Sequence, residues 1–418
     1  MSKNTEQVWD VVVIGGGPAG MMAAVQASER GLGVLLVEKN ETLGKKLLIT
    51  GGGRCNVTNA ELDNRKLLSK FKDNDKFLFS AFSQWSVQNT LDFFHLNNMP
   101  TKIENEQRVF PITDSAQSVW NVLVQQLKNN KVTILSNAPV SGFIQEDEVI
   151  TGIKIGKGRI IKGKNFIVAT GGKSRPETGS TGDGFLWLAE LGHTIIEPDL
   201  ALVPLVVKDE WISKLAGITL SNTKITVLQN NIKQEGRTGK ILFTHVGVSG
   251  PTILNMSRDI GELLKYGEVT LSIDIMPDVN KENMDKKLQE LVRGEMSNKK
   301  IKNALRTLFP SALSSIILEV AGIEEDTSCH SVTKPQRLKL VEKIKNFPLR
   351  VLKLQGVDKA IITSGGVDLP EVDFKTMRSR KYSNLYLIGD ILNIDRPSGG
   401  YGLQLCWTTG FVAGTHVE

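Results

Sequence analysis

Val8 to Ile14 (VWDVVVI) is a β-branched run that leads straight into Gly15-Gly16-Gly17-Pro18-Ala19-Gly20, and an Ala- and Met-rich stretch reaches Arg30. Strand, glycine turn and helix in that order constrain the fold more than any other feature of the chain. Gly15, Gly17 and Gly20 satisfy G-x-G-x-x-G. The first glycine permits the tight turn, the second lets a pyrophosphate approach the backbone, and the third allows close helix–strand packing. Free N–H groups and the helix dipole then favour an anion at this helix N-terminus. Gly31 and Gly33 stop the helix, Val34 to Val37 (VLLV) forms a second buried strand, and Glu38 closes it, 18 residues after Gly20. A carboxylate there accepts hydrogen bonds from ribose hydroxyls, and a Glu rather than an Arg favours an unphosphorylated adenosine ribose. FAD and NAD both fit this much of the pattern.

The chain is 418 residues long, with 40% hydrophobic, 23% charged and 6% aromatic residues, and 39 glycines against 14 prolines. These proportions are globular, and the length predicts two or three domains. Cys55, Cys329 and Cys406 are far apart and form no CxxC pair, so neither a disulfide framework nor a metal site is expected. The N-terminal MSKNTEQVWD carries no apolar signal region, and a cytoplasmic location without membrane association is expected. The net charge is +6, from 51 Lys+Arg against 45 Asp+Glu, and the pI is near 9.0. That excess is mild, and it marks a nucleic-acid binder only where it is concentrated.

Continuous apolar strands near the N-terminus predict a parallel sheet covered on both faces. The glycine-rich segment from Lys39 to Asn59 reads as a long functional loop. Helical patterns follow at Asp75 to Phe82, Ser86 to Leu96 and Ser115 to Leu127. A hairpin is expected over Val149 to Ile155 and Arg159 to Lys162, and a separate strand over Asn165 to Ala169. From about Ile195 to Phe347 the glycines thin out and Lys/Glu-rich helices enter. The α/β pattern then returns with Lys359 to Thr363 and Asn384 to Ile388, before a last helix from Gly402 to Ala413. The expected architecture is α/β: a discontinuous, Rossmann-like, doubly wound dinucleotide-binding domain over residues 1–194 and 348–418, interrupted by a mixed α+β insert over 195–347.

Two late features favour FAD over NAD. Gly389-Asp390 follows an apolar strand, where an acid suits the ribityl hydroxyls of an extended cofactor. Gly399-Gly400-Tyr401-Gly402 opens the last helix, whose N-terminal amides suit the negative charge of a reduced flavin. No second complete G-x-G-x-x-G occurs, since Gly156-Lys157-Gly158 lacks the third glycine and a following helix. NADH or NADPH is therefore expected only as a transient reductant.

GGGPAG with Glu38, LGKKLLITGGGRCNVTN (Leu43 to Asn59), ATGGKSRPETGSTGDG (Ala169 to Gly184), FTHVGVSGP (Phe243 to Pro251) and GDILNIDRPSGGYGLQLCWTTGFVAG (Gly389 to Gly414) together resemble the HI0933-like (BaiN-like) bacterial NAD(P)/FAD-dependent flavoproteins. The resemblance covers essentially the whole chain. It implies an FAD fold with a family-specific insert, and oxidoreductase activity on an unidentified small organic substrate. It places Gly15, Gly17, Pro18, Ala19, Glu38 and Lys39 on the adenosine half of FAD. Lys45, Lys46, Thr50, Gly51, Gly52, Arg54, Cys55 and Asn56 would wrap towards the flavin. Ala169, Thr170 and Gly171 would pass the pyrophosphate, and Gly389, Asp390, Gly400, Leu403 and Gln404 would hold ribityl and ring. Val140 is placed where backbone would meet the adenine edge, with a core valine as the alternative.

His245, in the resemblance block and one of only five histidines, is the candidate proton donor, with a structural histidine as the alternative. Arg175, Asp183 and Tyr401 are candidates for the substrate pocket, or surface and capping residues. Two other function classes stand beside the oxidoreductase. One is an RNA-linked flavoprotein whose insert binds RNA through the Lys-rich stretch Lys281 to Arg306. The other is a flavin-binding regulatory protein without turnover.

Overall fold

The computed structural model describes residues 7–156, 158–294, 296–355 and 362–418. The chain forms two compact units, Met1–Asp199 with Ile361–Glu418, and Leu200–Ala360. Of the strand expected over Lys359 to Thr363, Lys359, Ala360 and Ile361 lie outside the described residues, and a strand runs over Ile362–Val367.

In the outer unit, strand β1 (Val8–Ile14), helix α1 (Pro18–Glu29) and strand β2 (Val34–Val37) form the first β-α-β element. β1 lies parallel to β2 on one side and to Arg159–Val168 on the other. The seven-stranded sheet adds Thr133–Leu135 beyond β2, the antiparallel strands Val149–Ile155 and Val140–Glu146, and Leu385–Leu387, which pairs in parallel with Arg159–Val168. Val11, Val12 and Val13 and all of β2 are buried, which explains their continuous apolar character.

Two expected strands merge: Arg159 to Lys162 and Asn165 to Ala169 are one strand, Arg159–Val168. Gly163 does not break it. A Cβ there would come within 2.8 Å of Val12 Cγ2, so the glycine serves close packing on β1. The long loop also holds more structure than expected. It contains a short helix, Lys45–Ile49, and a strand, Thr58–Asn59, that opens a three-stranded antiparallel sheet with Arg108–Pro111 and Thr101–Glu104.

The final helix, Tyr401–His416, packs on α1. Cβ atoms at Gly410 and Gly414 would stand 2.5 Å from Ala19 O and 2.6 Å from Ala23 O. Two glycines one turn apart thus let the backbones of the first and last helices approach. Trp407, fully buried, donates from its indole to Val57 O at 2.9 Å.

The inner unit is built on a closed barrel of Leu205–Val207, Gly247–Ser249, Ile232–Phe243, Thr219–Gln229, Val269–Asp274 and Phe347–Leu354. Helices Pro251–Leu264, Lys281–Arg293, Ser311–Ala321 and Lys334–Lys345 share its core. The boundary expected at 347/348 moves accordingly. Phe347–Leu354 pairs with both Leu205–Val207 and Val269–Asp274, and closing the barrel requires it. No helix among the described residues is long and apolar enough to cross a membrane.

Within the outer unit, His193 Nδ1 lies 2.7 Å from Glu371 Oε2, and its Nε2 lies 3.0 Å from Ser379 Oγ. Burial holds the His193 pKa below its ordinary 6.5, against the pull of Glu371. Burial raises the Glu371 carboxyl, but hydrogen bonds from Thr194, Lys381 and His193 together bring it down to about 2. Both folded-state values lie below the unfolded ones, so the unfolded chain binds more protons on acidification. Stability is therefore fully present above about pH 7. It falls first as pH drops below 6.5 and again from 4.5 towards about pH 2. Urea midpoints measured across this range should decline in that order, and Glu371→Gln should flatten the lower part of the curve.

Candidate functional site

The turn after β1 is set by contact. Gly15 has φ +106, and a Cβ there would lie 2.5 Å from Ala169 O. A Cβ on Gly20 would lie 2.0 Å from Gly15 O, whereas one on Gly17 would meet nothing within 4 Å. Gly17, the residue before α1, therefore faces open space at a helix N-terminus that no side chain caps and that begins with Pro18. Glu38 is buried at the end of β2. Its Oε2 accepts from Gly16 N at 2.8 Å, and its Oε1 accepts from Asn40 N and Asn40 Nδ2, both at 2.8 Å. Ala138 N donates to Glu38 O, and Asn137 N donates to Asn40 O. The segment leading to Val140 thus runs beside Glu38, and half-buried Val140 pairs with Ile155.

The lysines expected at the cofactor are engaged by neighbours. Lys39 Nζ reaches Thr181 Oγ1 (2.6 Å) and Asp183 Oδ2 (2.9 Å), and Lys45 Nζ reaches Asn40 Oδ1 (3.2 Å). Lys46 Nζ lies 2.7 Å from Ser174 Oγ and 3.3 Å from Asp390 Oδ2. Arg54 turns away from this group. It stacks 4.2 Å above the Phe110 ring and is bound by Glu104 and Asp114. Arg54 holds the Glu104 carboxyl below its usual pKa, and Lys102 together with Arg54 does the same for Asp114. Gly51 and Gly52 have positive φ in an exposed turn, and Thr50 Oγ1 donates to Leu47 O. Asn56 Oδ1 accepts from Val109 N at 3.2 Å.

Cys55 is fully buried, and burial pushes its thiol up to about 12 despite a hydrogen bond with Thr50. Cys406, also buried, rises to about 12, and Cys329 is raised too. A maleimide reagent at neutral pH should leave all three unlabelled in the folded protein and label all three in urea.

Ala169 N donates to Ile14 O, and Gly171 has φ +74. Buried side-chain atoms without a partner, among the described residues, include Thr170 Oγ1 and Arg396 Nε. Gly389 N donates to Thr409 Oγ1. Asp390 was expected to present its carboxylate to a ligand, but both oxygens are taken: Oδ2 by Lys46, Oδ1 by Arg396. Burial raises the Asp390 carboxyl, yet Arg396 and Lys46 bring it below its ordinary value, so it stays ionised.

Gln404 is fully buried and committed to the protein. Its Oε1 accepts from Thr58 Oγ1, and its Nε2 donates to Thr408 Oγ1 and Ser86 O. Leu403 is partly exposed. A Cβ on Gly400 would lie 2.3 Å from the Thr58 carbonyl, so the last helix begins flush against that strand. Tyr401 lines a cavity of about 380 Å³ with Asn59, Glu61, Lys66, Lys70 and Glu106. Arg175 pairs with Glu177 at 3.6 Å. His245 is exposed on the inner unit.

The structure thus brings Gly15, Gly17, Ala19, Glu38, Lys46, Ala169, Thr170, Gly389 and Asp390 around the ends of β1, β2 and the neighbouring strands, all within the outer unit, while Gly400 lies against Thr58 and Asn59 of the small three-stranded sheet. Sequence reasoning missed Arg396, Asn40 and Ser174. An arginine six residues after Asp390, inside a segment otherwise destined for the core, was the available signal for Arg396.

A model of the HI0933-like protein Rossmann domain matches residues 9–416. The chain is 31% identical over 414 residues to a 3-dehydro-bile acid Δ(4,6)-reductase from Clostridium scindens, covering 96% of this chain and 97% of that one. It is 30% identical over 417 residues to a ribosomal RNA dihydrouridine synthase from Haemophilus influenzae, covering 97% and 98%. A 3-ketosteroid Δ1-dehydrogenase structure from Sterolibacterium denitrificans superposes with a TM-score of 0.54 at 14% identity, covering 98% of this chain and 99% of that one, a likeness of fold.

Proposed function

The chain belongs to the HI0933-like Rossmann-domain family, and on that premise we propose that it is an FAD-dependent reductase, recharged by NADH or NADPH, that saturates a carbon–carbon double bond conjugated to a carbonyl. The observation that carries this reading is the open space at Gly17 before an uncapped helix, with Glu38 oriented beside it and buried, unpartnered Thr170 Oγ1 close by. Such a cradle suits a pyrophosphate and a ribose, so these residues fit FAD. When bound, FAD supplies the hydride transfer. The chain's own part is to hold the nucleotide through Gly15, Gly17, Ala19 and Glu38, and to set the charge around the ring through Lys46, Asp390 and the final helix. The two relatives support the reaction class, because a Δ(4,6)-reductase of a 3-dehydro steroid acid and a dihydrouridine synthase both, by name, saturate such a bond.

A second reading takes the double bond to be that of a uracil base in RNA. One observation favours it: residues 200–360 carry 24 Lys+Arg against 18 Asp+Glu, whereas the rest of the chain carries 27 of each. The whole excess of +6 therefore belongs to the inner unit. A basic insert gives salt-dependent affinity for phosphate backbone.

Anaerobic mixing of the yellow protein with NADH and with NADPH should bleach the flavin. A 3-keto-4-ene steroid or a uridine-containing ribosomal RNA transcript, added next, should restore the colour and gain two hydrogens by mass spectrometry. Restoration by the transcript alone, weakened by added salt, selects the RNA reading. A protein that takes up no FAD, or whose flavin neither nicotinamide bleaches, overturns the proposal.

A further inference from the structure

Arg396 is an arginine in the wrong place for a surface role. It is 5% exposed, and its guanidinium donates to Ile394 O at 2.9 Å and pairs with Asp390. Its Nε has no partner. That Nε stands 3.1 Å from where a Cβ of Gly402 would be, so it is aimed at the first turn of the final helix. This helix runs 16 residues, starts at a left-handed Gly400 and has no side-chain cap. Its N-terminal amides and dipole add positive potential at the same point. Asp390 is shared with Lys46, so two cations face one carboxylate and the cluster carries a net positive charge.

A buried cation in excess, with a donor unspent, beside an uncapped helix N-terminus, calls for an anion. A separate helix N-terminus, that of α1 at Gly17, already suits the pyrophosphate. We propose that Arg396, anchored by Asp390, is the positioning residue that supplies counter-charge to the flavin ring when it becomes negative on reduction. This rests on the FAD reading above. Arg396 thereby favours the reduced ring, while Lys46, bound to Ser174 and Asp390, keeps Asp390 from cancelling that charge. A side chain that cannot ionise at this position leaves the helix dipole to act alone.

Sulfite tests the charge without turnover, because it adds its electron pair to the flavin N5 and leaves a negative charge on the N1–C2=O side of the ring. On FAD-loaded protein, Arg396→Met should weaken sulfite binding at least about tenfold, equivalent to about 1.4 kcal/mol. It should also lower the flavin reduction potential. Arg396→Lys should restore most of both. Asp390→Asn should act in the opposite direction and tighten sulfite binding, and the doubly neutral Asp390→Asn/Arg396→Met chain gives the reading without an unpaired carboxylate. ADP affinity of the flavin-free protein should be the same in all of them.

Equal sulfite affinity and potential in wild type and Arg396→Met would overturn the assignment while leaving the FAD reading intact. So would a loss of ADP affinity with sulfite binding unchanged, which would put the charge at the phosphates. A wild-type chain that holds no FAD removes the reading and the inference together.

Discussion

Gly20→Ala is expected to yield a protein that purifies colourless and unfolds at a lower temperature, whereas Gly17→Ala is expected to purify colourless with its melting temperature unchanged. The two glycines are three residues apart and do different work. At Gly20 a methyl group would sit 2.0 Å from the carbonyl oxygen of Gly15 and 3.1 Å from Ala169 Cβ. The first of these is backbone, so it has no rotamer to change, and α1 must lift from the turn. Overpacking of this kind costs about 1–3 kcal/mol, and more where backbone meets backbone. The gain of about 1 kcal/mol from replacing a helical glycine by alanine does not offset it. At Gly17 a methyl group meets nothing of the protein within 4 Å, so the fold tolerates it. It occupies the space through which a pyrophosphate would approach the amides. Absorbance of the flavin band relative to protein, together with thermal unfolding, separates the two outcomes. A yellow Gly17→Ala protein with ordinary FAD affinity would remove the pyrophosphate from this turn.

Asp390→Ala is the substitution with the largest expected effect on stability. Arg396 has only 2% of its side chain exposed and Asp390 only 19%. Removing the carboxylate leaves a guanidinium and an ammonium facing each other with no anion between them. Breaking a buried pair on one side costs about 3–5 kcal/mol, a large share of a typical total stability of 5–15 kcal/mol. Removing both charges in Asp390→Ala/Arg396→Met should recover most of the loss, since no isolated charge remains. Urea unfolding of the two single variants and the double variant gives the coupling directly. Additive losses would mean that the two groups do not act as a pair.

The elements that position the nucleotide were readable because their physics is local. VWDVVVI, GGGPAG and VLLV each follow from a periodicity or a backbone requirement within a few residues, and all three form as expected. Glu38 ends the second strand, with its carboxylate accepting from Gly16 N. What escaped depends on pairs distant in sequence. The merging of Arg159–Val168 turns on Gly163 meeting Val12. The extension of the inner unit to Phe347–Leu354 turns on a barrel that closes against Leu205–Val207. In the site, the resemblance put Arg54 in the segment that wraps towards the flavin, but Glu104 and Asp114 arrive on strands and loops fifty or more residues away and hold it. Gln404 looked available until Thr58, Ser86 and Thr408 consumed its amide. Charge and residue type show what a side chain can bind; only the tertiary fold shows what has already bound it.

The glycine seam between α1 and the final helix has a consequence for how this chain is made. Ala19 and Ala23 are synthesised almost four hundred residues before the Gly410 and Gly414 that cover them. The strand Leu385–Leu387 that pairs with Arg159–Val168 is likewise a late arrival. Every strand of the inner barrel, by contrast, is supplied within residues 200–360. During translation the inserted unit therefore has all its pairing partners while the nucleotide-binding unit is still open along one helix. Closure of the nucleotide-binding unit waits on the final helix packing over the first.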